Sequence, residues 1–351
     1  MTLVSFMKWD INSLKEKEVT LKNEILKCSD ANRLKYLKLE LENIYFLLDQ
    51  YYNKKRVYDV MLESVISKEN ISKKVAFFER ILPALTDKMV ILDYRKHLPR
   101  YLFDFRKFDN EKIVDLTLEF FRQFSQEAYE CLNEIVKFKH LNFGEMNTVI
   151  NGFSSYLPSF NSSYINVACN KYFKDISCLA HEMGHIQISM NENAATYNNM
   201  VYSGLVEVYP YFIELMFLDY LKTTKYYKSA FNAEAQFYEN LSVTYEYNVG
   251  KFLKCGSIKY MNDKYVNSSD EFTSSDLAGR FISQILAYYF KYLYRNGSSE
   301  ILKFVDALKK GNEYDYFYTL NLDDILLAFN EEVNFYYKDL NNKGKILKKV
   351  L

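Results

Sequence analysis

The segment AHEMGH, residues 180–185, combines residue types that bind metal ions and transfer protons. His181 and His185 are four residues apart, so on a helix both imidazoles project from one face, about one turn apart. This spacing lets two ring nitrogens reach one zinc ion, which binds histidine nitrogens in a tetrahedral arrangement. Glu182 follows the first histidine, where it can accept a proton from a water bound to the metal. The segment therefore predicts a helix that binds zinc and carries its own general base.

A zinc enzyme of this kind needs a third protein ligand, and the apolar segment SGLVEVYPYFIELMF holds the best candidate, Glu207. This segment predicts a buried helix, in which a carboxylate is costly unless it is paired or bound to a metal. Glu214 follows seven residues later on the same stripe, and we expect it to accept a ring N–H from a metal-bound histidine. A solvent-facing or ion-paired Glu214 is the simpler alternative. His97 and His140 are expected to be ordinary surface or hydrogen-bonded histidines.

The elements that position these residues are predicted to be mostly helical, because 351 residues include only four prolines and ten glycines. Apolar residues at helical spacing predict helices near 11–25, 34–48 and 118–135. Asp30 is a candidate N-cap for the second of these helices, and Asp175 for the helix that carries the histidines. The segments 204–221 and 276–295 also have helical patterns.

Short strands are predicted just before the histidine helix. Residues 141–170 are rich in Asn, Ser, Gly, β-branched and aromatic types, and 163–169 is the best strand candidate. The polar segments 191–200 and 262–275 predict loops. We expect one mostly helical catalytic domain over 1–351, with an N-terminal helical part at 1–140 and a metal-site part at 141–351.

Composition excludes several classes of function. Lys+Arg and Asp+Glu balance at 45 each, so nothing predicts binding to nucleic acid. No apolar stretch approaches the roughly 20 residues of a membrane span, so no membrane association is expected. The five cysteines are scattered and form no CxxC pair, and the N-terminus has no basic, apolar leader. These features predict a cytoplasmic protein, and they give no indication of its oligomeric state.

The segment LAHEMGH, followed after a polar stretch by VEVYPYFIE, resembles the oligoendopeptidase F and thimet oligopeptidase family of zinc metallopeptidases. The resemblance is strong over roughly residues 150–220. It implies a mainly α, zincin-like catalytic domain with a small β region before the HExxH helix. It also implies that His181, His185 and Glu207 bind one zinc ion and that Glu182 is the general base.

The sequence departs from this family in the residues that stabilise the transition state. The family uses a C-terminal histidine and tyrosines near a Tyr-Ala-Thr-Gly-like stretch, where this chain has SSDLAGRFIS with Ser274 and Asp276. No histidine follows His185, and Ile188 stands where many members have another histidine. Three tyrosines are candidates to replace the missing oxyanion donors, and the sequence does not choose among them: Tyr265, Tyr288 and Tyr289.

The predicted function is a zinc-dependent metalloendopeptidase, of the oligopeptidase type, that hydrolyses short or unfolded peptides. Glu182 would activate a zinc-bound water. The strand near 163–169 is expected to hold the substrate backbone in extended form. The missing histidine and tyrosines keep two alternatives open: a weakly active or inactive peptide-binding relative, and a processing protease dedicated to one leader or signalling peptide. A purely structural helical protein is a third.

Overall fold

The computed structural model describes residues 9–52, 68–89, 102, 104, 106–144, 152–167, 175–201, 203–244 and 269–350. The helices are α1 (Ile11–Lys27), α2 (Ala31–Tyr51), α3 (Lys68–Met89), α4 (Asn110–Phe124), α5 (Gln126–Lys137), α6 (Cys178–Ser189), α7 (Ala194–Val201), α8 (Val208–Lys222), α9 (Tyr227–Thr244), α10 (Ser269–Arg295), α11 (Glu300–Lys309), α12 (Glu313–Thr319) and α13 (Leu322–Val350). The strands are β1 (Leu141–Phe143), β2 (Gly152–Leu157) and β3 (Ser162–Val167). The predicted mainly helical architecture with a small sheet is confirmed.

The chain divides into two compact units, and neither is continuous in sequence. Unit 1 combines Met1–Asn70 with Arg106–Tyr202, and unit 2 combines Ile71–Phe105 with Ser203–Leu351. The predicted parts, 1–140 and 141–351, are each one continuous segment, whereas each of these units combines two separate segments. The predicted division stays a prediction. Among the helices within the described ranges, none is both long and apolar enough to cross a membrane.

Unit 1 is built around a helical pair and the sheet. Helices α1 and α2 pack together, and Asp30 Oδ1 accepts a hydrogen bond from Arg33 N at 2.8 Å, which confirms the predicted N-cap. The indole Nε1 of Trp9 donates to the carbonyl oxygens of His140 and Ile165 at 3.0 and 3.2 Å. The segment before α1 is thereby tied to strands β1 and β3. Buried residues form this core: Trp9, Leu14, Leu21, Leu37, Ile44, Leu47, Leu48, Leu157 and Tyr164.

The single helix predicted over 118–135 is wrong, because the structure has two helices, α4 and α5, separated at Ser125. The backbone of Ser125 is extended, with φ −155° and ψ 109°. Its hydroxyl accepts from Ala128 N at 3.3 Å and so caps α5. The apolar spacing runs across the break because both helices bury a face within unit 1.

Two predicted loops are also partly helical. Residues 194–200 of the first lie in α7, because Asn193 Oδ1 accepts from Ala195 N and Thr196 N at 3.0 and 3.1 Å. The second, 262–275, overlaps α10, which begins at Ser269; its residues 262–268 lie outside the described part of the chain.

The sheet has the order β1-β3-β2, with β3 parallel to β1 and antiparallel to β2. The strands and turns predicted for 141–170 are thus confirmed over the described residues. The prediction that 163–169 receives a substrate strand is wrong, because Ile165, Asn166 and Val167 are paired on both sides. Residues 168–169 lie outside the described ranges. Over the described residues, β1 and β2 are the two edge strands of this sheet.

Unit 2 packs α8 against α9 and α10, and α10 against α13. Its interior contains a network of six charged side chains from these four helices: Asp219, Lys222, Glu234, Lys291, Arg295 and Glu332. Lys291 is 1% exposed, and its Nζ lies 3.1 Å from Asp219 and 3.4 Å from both Glu234 and Glu332. Charges this deeply buried are tolerated only when they are paired, so the network fixes how the four helices meet.

Candidate metal centre

Helix α6 carries the HExxH segment and lies in unit 1, where it packs against β2, β3, α4 and α5. The predicted N-cap at Asp175 is wrong, because the cap position is Ser177 and the first helical hydrogen bond runs from His181 N to Ser177 O at 2.9 Å. Asp175 lies two residues before this cap and is 1% exposed. The helix therefore starts one turn before the first histidine, which gives both histidines a regular helical backbone.

The two histidine side chains lie side by side, as their spacing predicts. The ring centroids of His181 and His185 are 5.2 Å apart, with an angle of 75° between the ring planes. Both residues are half-buried, so the pair borders solvent on a helix whose other faces are enclosed. Two adjacent imidazoles of this kind offer nitrogen ligands to a single zinc ion, which fits the predicted metal.

The carboxylate of Glu182 is held against the start of strand β2. Glu182 is 5% exposed, and a Cβ placed on Gly152 would lie 2.7 Å from Glu182 Oε1 and 3.2 Å from its Cγ. Any larger residue at 152 would displace this carboxylate from its observed position. Sequence reasoning missed Gly152 as a site residue, although its place between Asn151 and a strand marks it as a position of close backbone approach.

Glu207 and Glu214 lie in unit 2 at the start and middle of α8. Glu207 is the N-cap residue, and its carbonyl oxygen accepts from Tyr211 N at 3.0 Å. A helix N-terminus favours negative charge, so the backbone here stabilises the carboxylate. Its Oε1 also lies 3.5 Å from Arg280 Nη2 on α10. Glu214 is half-buried, two helical turns further along α8.

Two of the three candidate oxyanion donors, Tyr288 and Tyr289, are buried in unit 2. Tyr288 is fully buried and stacks on Tyr238, with ring centroids 5.2 Å apart, and burial raises its pKa well above the usual value. Tyr289 is 8% exposed, and burial raises its pKa as well. Tyr265 lies outside the described residues. The proposed role of these tyrosines stays a prediction, and Arg280 is a residue near Glu207 that sequence reasoning missed.

His140 lies directly before β1 in unit 1 and is half-buried. Its ring stacks on Tyr164 with centroids 4.1 Å apart, and its Nδ1 lies 3.4 Å from Ser162 Oγ. Burial, with a smaller effect from nearby Lys17, lowers the pKa of His140 to about 4. A neutral, packed imidazole agrees with the expected structural histidine. His97 lies outside the described residues.

Comparisons with known proteins give two similar solved structures. One is described as a candidate oligoendopeptidase F from Bacillus anthracis; the identity is 16%, the TM-score is 0.49, and the match covers 88% of this chain and 64% of that one. The other is also described as a candidate oligoendopeptidase F; the identity is 13%, the TM-score is 0.46, and the match covers 87% of this chain and 65% of that one. This chain therefore spans less than two thirds of each.

Both structures carry the name of the family that the motifs resemble. No family model matches the chain, and no curated protein matches it.

Proposed function

We propose that this chain is a zinc-dependent endopeptidase with a zincin-like catalytic fold, and that it hydrolyses short or unfolded peptides. The observation that carries this proposal is the arrangement on α6: two half-buried imidazoles stand side by side, and a nearly buried glutamate sits next to them in sequence. Paired imidazoles bind zinc, and an adjacent carboxylate transfers protons, which are the two requirements of metal-assisted peptide hydrolysis.

His181, His185 and Glu207 form the proposed ligand set for one zinc ion. Two imidazole nitrogens and one carboxylate oxygen are the ligand types found in zinc peptidases, and all three residues are half-buried. The α8 N-terminus favours the ionised form of Glu207 that a metal ligand requires. Glu214 is proposed to orient a ligand histidine through its other ring nitrogen. A zinc ion bound here would lower the pKa of a water molecule and polarise the scissile carbonyl.

Glu182 is the proposed general base and then the general acid. It takes a proton from the attacking water and later delivers that proton to the leaving amine, so the carboxylate is regenerated in each cycle. Contact with the backbone at Gly152 restricts where the carboxylate can lie. Restricting its position in advance reduces the loss of freedom on reaching the transition state.

The substrate is proposed to lie along the outer edge of β2, since β3 is paired on both sides. An extended peptide adds to a sheet edge through main-chain hydrogen bonds, which need no particular side chains. One group on β2 is engaged already, because Tyr156 N donates to Tyr197 Oη at 3.3 Å. The part of β2 nearer Gly152, beside Glu182, is therefore the proposed binding segment. Scattered free thiols agree with a proposed cytoplasmic location.

Metal analysis combined with peptide hydrolysis tests this function. The parent protein is expected to bind one zinc per chain and to cleave unstructured peptides, and a chelator should abolish cleavage until zinc is restored. His181→Ala, His185→Ala and Glu207→Ala should each lose zinc affinity by at least about tenfold to a hundredfold, while Glu192→Ala, three residues after the end of α6 and outside the proposed ligand set, should not. A parent protein that binds no zinc contradicts the proposal.

A further inference from the structure

The reaction proposed above needs a group that stabilises negative charge on the carbonyl oxygen of the scissile peptide bond. The stretch SSDLAGRFIS, where the resembled family has tyrosines, contains Arg280. We propose that Arg280 is a catalytic residue that donates hydrogen bonds to this oxygen in the transition state. The inference rests on the proposed peptidase function and names the donor that the sequence left open.

Close backbone packing fixes the position of Arg280 on its helix. The preceding residue, Gly279, is buried in α10, and a Cβ there would overlap the carbonyl oxygen of Gly204 and lie 3.3 Å from its carbonyl carbon. Gly204 begins the turn that leads to Glu207 and α8. Its N–H donates to Tyr314 Oη at 2.9 Å, which anchors the turn within unit 2. The missing side chain of Gly279 thus lets the backbone of α10 contact the turn that carries the proposed ligand.

This contact places the guanidinium of Arg280 beside Glu207. Arg280 Nη2 lies 3.5 Å from Glu207 Oε1, so a metal held by that carboxylate would have a permanent positive charge within a few ångströms. The side chain of Arg280 is 39% exposed, whereas that of Glu207 is 13% exposed. A guanidinium has five N–H donors in a planar fork, so it can keep its contact with Glu207 and still donate to another oxygen. Because the side chain is partly exposed, a substrate oxygen is proposed to approach it from the solvent side.

The chemistry matches what the step requires. The attacking water forms a bond to the carbonyl carbon, the C–N bond then breaks, and Glu182 carries the proton from the water to the leaving amine. Negative charge develops on the carbonyl oxygen only between these events, so a donor aimed at it lowers the barrier without tightening ground-state binding. A guanidinium stays protonated near neutral pH, because the pKa of arginine lies far above neutrality.

Three proteins test the assignment: Arg280→Met, which retains the aliphatic volume, Arg280→Lys, which retains the charge, and the control Arg33→Met. Arg33 is a suitable control because its Nη2 also lies 3.5 Å from a carboxylate oxygen, Glu24 Oε2, on the exposed surface of unit 1. Zinc content is measured first. All three proteins are expected to bind zinc as the parent does.

The decisive measurement is the calorimetric binding of two ligands to the zinc-loaded proteins. One is a phosphinic pseudopeptide, whose tetrahedral phosphinate mimics the transition state; the other is the matched intact peptide, measured in a Glu182→Gln background. Arg280→Met is expected to weaken phosphinate binding by about 10²–10³-fold and to leave intact-peptide binding within about threefold. Arg280→Lys should lie between the two, and Arg33→Met should match the parent. If the parent hydrolyses peptides, kcat should fall by a similar factor with little change in KM.

Each other outcome overturns the assignment. An equal loss for both ligands would make Arg280 a ground-state binding residue, and a loss of zinc would make it a positioning residue for Glu207. No change for either ligand would leave it without a role in this step. A parent that binds zinc and the phosphinate but cleaves no peptide refutes the proposed function separately, since the binding comparison still reports on Arg280. A parent that binds neither zinc nor the phosphinate refutes both.

Discussion

Replacing Gly152 by alanine should impair catalysis without removing the metal. The added Cβ would lie 2.7 Å from Glu182 Oε1, 3.2 Å from its Cγ and 3.3 Å from its Cδ. Ordinary contacts of a Cβ begin near 3.4 Å, so the carboxylate oxygen must move by about 0.7 Å (3.4 minus 2.7). A displacement approaching 1 Å in a catalytic group costs on the order of a hundredfold in rate. We therefore expect kcat to fall by about tenfold to a hundredfold.

The assay compares Gly152→Ala with Gly144→Ala, a glycine next to the same sheet. Among the described residues, a Cβ at Gly144 would meet the side chains of Asn142, at 3.1 Å, and Asn166, at 3.7 Å, and neither belongs to the proposed site. Both variants are expected to retain zinc, and the midpoint of thermal unfolding should move little. A Gly152→Ala protein with the kcat of the parent would refute the argument that Gly152 positions Glu182. Loss of zinc from this variant would also refute it, because the damage would then lie in the ligands.

Three further results are expected from unfolding and metal-binding measurements. His140→Gln should remove a pH dependence of stability, because burial lowers the pKa of His140 to about 4 in the folded protein, against about 6.5 in the unfolded chain. As the pH falls below 6.5, the unfolded chain takes up a proton that the folded protein does not, so the folded state is destabilised. In urea titrations, the free energy of unfolding of the parent should fall by about 2 kcal/mol more than that of the variant between pH 7 and pH 5. Lys291→Met should cost about 3–5 kcal/mol, because it leaves the three carboxylates of the buried network with only two cations, whereas Lys303→Met at an exposed pair should cost less than about 1 kcal/mol; equal losses would contradict this difference. Gly279→Ala should push α10 away from Gly204 and weaken zinc binding in equilibrium dialysis, and an unchanged affinity would show that this contact does not position Glu207.

Local signals in the sequence predicted much of the fold. The helical spacing of apolar residues identified α1 and α2, and the composition of 141–170 identified the strands. The same spacing could not reveal the break at Ser125, because a capping hydroxyl changes the backbone without interrupting the apolar pattern. Asn193 likewise starts α7 through side-chain caps within a polar segment, where apolar periodicity carries little information.

The candidate site was predictable only where its residues are neighbours in sequence. The side-by-side imidazoles of His181 and His185 follow directly from helical geometry. The contact of Gly152 with Glu182 and the pair formed by Arg280 and Glu207 join residues far apart in the chain, so they depend on tertiary packing. The same holds for the pairing of β3 on both sides, which moved the proposed substrate strand to β2.

The most direct test of the central claim is mass-spectrometric detection of cleavage in a mixed library of short peptides, using the zinc-loaded parent beside Glu182→Gln. The variant keeps the proposed ligands and changes only the group that transfers the proton. We predict that the parent cleaves a subset of the peptides, and that the variant binds zinc equally well but cleaves none at a detectable rate. Equal cleavage by both proteins would contradict the role of Glu182 as the general base. Cleavage by neither protein, while both retain zinc, would contradict the proposed peptidase.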